Sequence, residues 1–163
     1  MTEKAPPAHH RLVEINLDER SVVRRNADIE HEQRVAIFDL LEQNVFSPVG
    51  VHDDQGPFQL FLAIADNRLV FDIRAEDASA LGKIILALSP FRKIVKDYFE
   101  ICDSYYQAIK RSSPAQIETI DMARRGVHNE GSELLRERLK GKIDCDFDTA
   151  RRLFTLICVL HIR

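Results

Sequence analysis

Cysteine is scarce in this 163-residue chain. Cys102, Cys145 and Cys158 are odd in number and form no C-x-x-C pair, which argues against a disulfide framework and against a zinc knuckle. They read as small buried apolar residues. Long apolar runs are also missing. The longest, Leu153 to Ile162, falls far short of the ~20 residues a membrane span needs, and Met1 to His10 has no apolar signal core. The expectation is a soluble, cytoplasmic protein with no membrane partner. Dense positive charge is absent as well: residues 1–82 carry 8 basic and 15 acidic side chains, residues 83–163 carry 15 and 11, and the formal charge is -3. Such a mildly basic C-terminal half admits anions but lacks the basic stripe of a nucleic-acid binder, so nucleic acid is not an expected partner. Finally, no G-x-G-x-x-G, Walker loop, G-x-S-x-G or H-E-x-x-H occurs, and no cofactor is expected.

A content of 45% hydrophobic and 30% charged residues is that of one globular domain. Residues 1–10 read as a flexible tail, with His9-His10 beside Pro6-Pro7, and 11–163 as a single domain. Leu12 to Asp18 alternates apolar and polar residues, as a half-buried strand does. After a polar loop over Glu19 to Asn26, Asn26 or Asp28 can cap a helix whose apolar stripe is Val35, Phe38, Leu41 and Val45, ending before Pro48. Asp28, Glu30, His31 and Glu32 suggest metal ligands by type, but adjacent helical positions diverge by about 100°, so no metal site is expected there.

Phe58 to Arg74 is the clearest hairpin. With Asp66-Asn67 as a two-residue turn, Ile64 faces Leu69, Leu62 faces Phe71 and Leu60 faces Ile73, which puts every apolar pair on one side. Together with the first strand this predicts an antiparallel sheet of at least three strands. From Glu76 the pattern turns helical, with Ala80, Leu81, Ile84, Ile85 and Leu88 as a stripe. Ser89-Pro90 then starts a strongly amphipathic helix with Phe91, Ile94, Val95, Tyr98, Ile101, Cys102, Tyr105 and Ile109 on its core face. Ser113 and Gln116 form a capping box for the next helix. Asp144, Asp146 and Asp148 resemble the start of a calcium loop, but Thr149 and Thr155 stand where its glycine and glutamate belong. A short strand over Ile143, Cys145 and Phe147 is expected instead, followed by an Asp148-capped buried helix over Thr149 to Ile162. The fold class is α+β: a small antiparallel sheet containing the 58–74 hairpin, packed against several helices.

The densest chemistry lies in Asp121 to Leu135. At helical spacing Asp121, Arg124, Arg125, His128 and Ser132 fall within roughly 100° of one another, with Ile117, Ile120, Ala123, Val127, Gly131 and Leu134 opposite as the core face. Arg124, Arg125 and Ser132 are candidate anion-binding donors. His128 is a candidate proton carrier with Asp121 as its orienting partner, since Glu130 points to the other side of the helix. Gly131 should lie where another element comes close.

Asp28-Ile29-Glu30-His31-Glu32, Ser104-Tyr105-Tyr106-Gln107-Ala108-Ile109, His128-Asn129-Glu130-Gly131-Ser132 and the closing run from Asp146 to His161 together resemble an alphaproteobacterial family catalogued as uncharacterised protein family 0262. The resemblance covers nearly all of the chain after Arg11 and implies a small single-domain bacterial protein. It supplies no catalytic residues. Two function classes follow from the residues: a noncatalytic interaction or regulatory module, with Phe99 and Tyr106 serving either the domain's own core or a second copy in a homo-oligomer, or a site for a small anionic ligand built on Arg124, Arg125 and His128.

Overall fold

The computed structural model describes residues 6–18 and 27–161. The hairpin forms in the register its alternation requires. β3 (Phe58–Ala65) and β4 (Arg68–Ala75) pair antiparallel with Leu60 opposite Ile73, Leu62 opposite Phe71 and Ile64 opposite Leu69. Asp66 and Asn67 turn the chain at φ 53 and 60, the left-handed pair of a tight hairpin turn that Asp and Asn tolerate.

The sheet around the hairpin is mixed, which corrects the all-antiparallel expectation. β1 (Leu12–Leu17) lies parallel to β3, with Ile15 opposite Leu60 and Leu17 opposite Leu62. A parallel pair needs a long crossover, and the segment between these strands provides one. It contains α1 (Ala27–Glu42) and β2 (Phe46–Pro48). The polar loop read over Glu19 to Asn26, and the Asn26 cap, lie outside the described residues. A second correction falls on the stretch read as a helix from Glu76: Ala80–Ala87 is β5, antiparallel to β4, and the sheet order is β1-β3-β4-β5. Leu86 faces Leu69 and Ile84 faces Phe71, so these two extend the inner face of the sheet, while Ala80 and Ile85 of the expected helical stripe are exposed. The open edge of β4 decides between them.

α1 ends earlier and is rotated from its expected stripe. It buries Ala36 and Leu40, while Val35 and Phe38 are 42% and 68% exposed. The buried Asn44 fixes this arrangement. Its Oδ1 accepts from Leu12 N at 2.7 Å, and its Nδ2 donates to Leu12 O at 3.0 Å and Leu40 O at 2.7 Å. That cross-link carries the chain out of the helix, so Phe46 is fully buried and β2 pairs with β6 (Ile143–Cys145). His10, read as part of a free tail, is buried: its Nδ1 lies 2.8 Å from Ser47 Oγ and its ring packs edge-on to Phe58.

A 3-10 turn over Ser89–Phe91 leads into α2 (Arg92–Arg111), which buries Val95, Tyr98, Cys102 and Ala108. Ile109, placed in that stripe by the sequence, is instead exposed. α3 (Pro114–Leu139) begins with the expected capping box between Ser113 and Gln116. α4 (Phe147–His161) is capped by Asp146, which accepts from Thr149 N at 2.9 Å, rather than by Asp148. It forms the centre of the helical layer, with Leu153, Phe154, Leu156 and Ile157 fully buried. α1 and α3 both pack on it, and α2 packs on α3.

Candidate functional site

α3 buries more than the side its apolar residues mark: Val127 and Leu134 pack against the core, and the line leading back from Leu135 turns towards it as well. Its buried residues are Gly131, Ser132, Leu135 and Leu139, and stepping back by threes and fours from Leu135 leads to His128, Arg124 and Asp121. The polar line read as a candidate anion site is thus the N-terminal continuation of the core stripe. Ala123 is exposed, and Ile117, Ile120, Val127 and Leu134 are half-buried. Gly131 explains how the helices approach: a Cβ there would lie 2.2 Å from the Phe154 ring of α4. The close contact expected at this glycine is present.

Beside that contact, the His128 ring clusters with those of Tyr98 and Phe154, at centroid distances of 5.2 and 5.3 Å. Its Nε2 is 2.7 Å from Thr155 Oγ1, and that hydroxyl donates to Arg151 O at 3.3 Å. Nδ1 is buried and has no partner. Burial first, then the Arg151 and Arg124 charges, push the His128 pKa down to about 4.

Asp121 is engaged elsewhere. It pairs with Arg124 Nη2 at 2.6 Å and with Arg125 Nη2 at 2.9 Å, and the hydrogen bond from Arg124 holds its carboxyl below the ordinary value. The structure therefore does not bring Asp121 and His128 together as an acid-base pair. Ser132 is also set apart: fully buried, it donates to His128 O at 2.7 Å.

Arg124, Arg125 and His128 do converge. They line one wall of a cleft of about 290 Å³, whose α4 wall is Asp148, Arg151, Arg152 and Thr155. Tyr98 contributes from α2, and α1 closes the cleft with Glu32, Val35, Ala36 and Asp39. Arg151 Nε is buried without a partner. The Glu32 carboxylate is held by Tyr106, whose hydroxyl donates to it at 2.8 Å. Tyr106 and Phe99, offered as contact residues for a second copy, are packed against the domain's own core.

Sequence reading missed Arg151, Arg152, Thr155, Glu32 and Asp39. A signal existed in the spacing of Asp148, Arg151, Arg152 and Thr155, which places polar groups along one side of a helix otherwise read as wholly buried. Glu32 and Asp39, seven positions apart, likewise share a face.

Since protonation of His128 is disfavoured in the fold, the unfolded chain takes its proton first as pH falls. Stability from this residue is therefore fully present above about pH 7 and is lost progressively from about 6.5 towards about 4. Urea titrations across that range should show this loss in the wild type, and His128→Gln should flatten it. An equal slope in the variant would place the acid sensitivity elsewhere.

These features define a small α+β protein with a charged interhelical cleft beside a half-buried histidine of lowered pKa. The chain belongs to the Uncharacterised protein family (UPF0262), whose model matches residues 9–163. A UPF0262 protein of Paramagnetospirillum magneticum is 61% identical over 157 residues, covering 96% of this chain and 99% of the relative. Another, from Sphingopyxis alaskensis, is 58% identical over 161 residues, covering 98% of each. A third, from Rhodospirillum rubrum, is 61% identical over 152 residues, covering 93% and 92%. No solved structure matches the chain. Among the described residues, no helix is long and apolar enough to cross a membrane.

Proposed function

We propose that the chain is a noncatalytic binding module for a small anion, a phosphate or carboxylate, taken up in the cleft between Arg124 and Arg125 on α3 and Arg151 and Arg152 on α4. One observation carries this reading. Among the described residues, Arg151 Nε is a buried side-chain donor without a partner, and Arg151 lines this cleft. Leaving such a donor unpaired costs about 1–3 kcal/mol, so an acceptor oxygen taken up beside it would recover that loss. Binding is favoured over proton transfer because Asp121 is occupied by the arginines and His128 is neutral and fixed by Thr155.

Millimolar phosphate is expected to raise the melting temperature by mass action, with about 1.4 kcal/mol of stabilisation at ten times Kd. Arg125→Ala and Arg151→Ala should each reduce or abolish that increment, with chloride matched for ionic strength. Arg125 is 68% exposed at its side chain, so its removal should leave the unliganded fold intact. Equal shifts in wild type and variants would remove the reading.

A second reading, an interaction module that pairs with another copy of itself, is supported by the exposed Phe38 and Val35 on α1. Light scattering should then give a multiple of the 18.7 kDa chain mass, falling in Phe38→Ser. A monomer mass for the wild type at high concentration would rule it out.

A further inference from the structure

Resting on the anion-binding reading, we infer that the ligand of the cleft also carries a positive charge, so that it is a small amino-bearing phosphate or carboxylate rather than a simple anion. The walls differ in charge. α3 and α4 present Arg124, Arg125, Arg151 and Arg152 with one carboxylate, Asp148, among them, while α1 presents Glu32 and Asp39 and no cation. The arginines have carboxylates of their own: Asp121 serves Arg124 and Arg125, and Asp148 lies 3.9 Å from Arg151. Among the described residues, no ion pair joins Glu32 or Asp39 to these arginines across the gap. Glu32 is moreover held in place by Tyr106 from a third helix.

A bare phosphate drawn to the arginines would face these two carboxylates and be repelled by them. An ammonium on the same molecule turns that repulsion into attraction, and the acidic wall then discriminates against simple anions. At about 290 Å³ the cleft lies at the small end of ligand sites, which suits a compact molecule with its two charges a few atoms apart.

Calorimetric titration with two matched pairs, O-phosphoethanolamine against ethyl phosphate and β-alanine against propionate, together with inorganic phosphate, tests this directly. In at least one pair the ammonium-bearing member should bind at least about tenfold tighter, the ratio one charge-assisted contact supplies. Glu32→Gln/Asp39→Asn, which keeps an oxygen acceptor for Tyr106, should bring that pair to within about twofold, because the wall then no longer distinguishes the two charges. Comparable affinities within both pairs would overturn the inference and leave the anion site standing. So would a preference that survives unchanged in a correctly melting double variant. If none of the five compounds binds the wild type, the anion-binding reading itself is lost.

Discussion

Phe71→Ala is expected to lower the stability of the fold by roughly 3–5 kcal/mol, the range for deleting a fully buried phenylalanine. Phe71 is wholly buried in β4, opposite Leu62 of β3 and Ile84 of β5. It therefore sits where three strands present their inner faces to the helices. The surrounding side chains, Leu60, Leu62, Leu69 and Ile73, are themselves buried to within 2% and belong to regular strands, which leaves little room for collapse into the cavity. Chemical denaturation measures the loss. A value below about 1 kcal/mol would contradict the placement of this side chain in the core.

Gly131→Ala should be nearly as damaging, about 3 kcal/mol and so at the upper end of overpacking losses. The new Cβ would meet three atoms of the Phe154 ring at 2.2 to 2.3 Å. That ring is fully buried and has Tyr98 and His128 as neighbours at 6.1 and 5.3 Å, so it cannot retreat without disturbing the cleft wall. Gly126 on the same helix is the control, since a Cβ there meets nothing within 4 Å. Gly126→Ala should stabilise by about 0.5–1 kcal/mol through helix propensity alone. Adding Phe154→Leu to Gly131→Ala should recover part of the loss, because the smaller side chain vacates the space. Equal effects at the two glycines would mean that α3 and α4 do not cross at Gly131.

The two glycines also show what the sequence could and could not reveal. Gly131 was legible as a close approach without knowing its partner, but Gly126 in the same helix meets nothing within 4 Å, so a helical glycine does not by itself mark a crossing. The hairpin was equally legible, since its alternation and its Asp66-Asn67 turn are local. The direction of β1 was not, because pairing across a crossover is settled by what α1 packs against. Ala80 to Ala87 is a short apolar run that suits either period, and only the free edge of β4 chooses between them. The polar line of α3 was harder to read. Its residue types suit solvent as well as a site, yet Arg124 spreads its guanidinium over the Tyr105 ring at 4.5 Å and His128 clusters with the Tyr98 and Phe154 rings. Arg124, Arg125 and His128 could be grouped from one helix alone. Their counterparts Glu32, Asp39, Arg151 and Thr155 lie on two other helices, and no spacing within a single element connects them.

The account turns on an anion held beside a neutral His128, and nitrogen NMR of the imidazole rings observes that group directly. Without ligand, the His128 signals should report a neutral ring, titrating only near pH 4. Adding phosphate should shift them saturably and raise the pH at which they titrate, because a nearby anion favours the imidazolium form. In Arg151→Ala the phosphate response should weaken or disappear. A His128 ring that titrates near 6.5 and does not respond to phosphate would contradict both the half-buried neutral histidine and the anion site built around it.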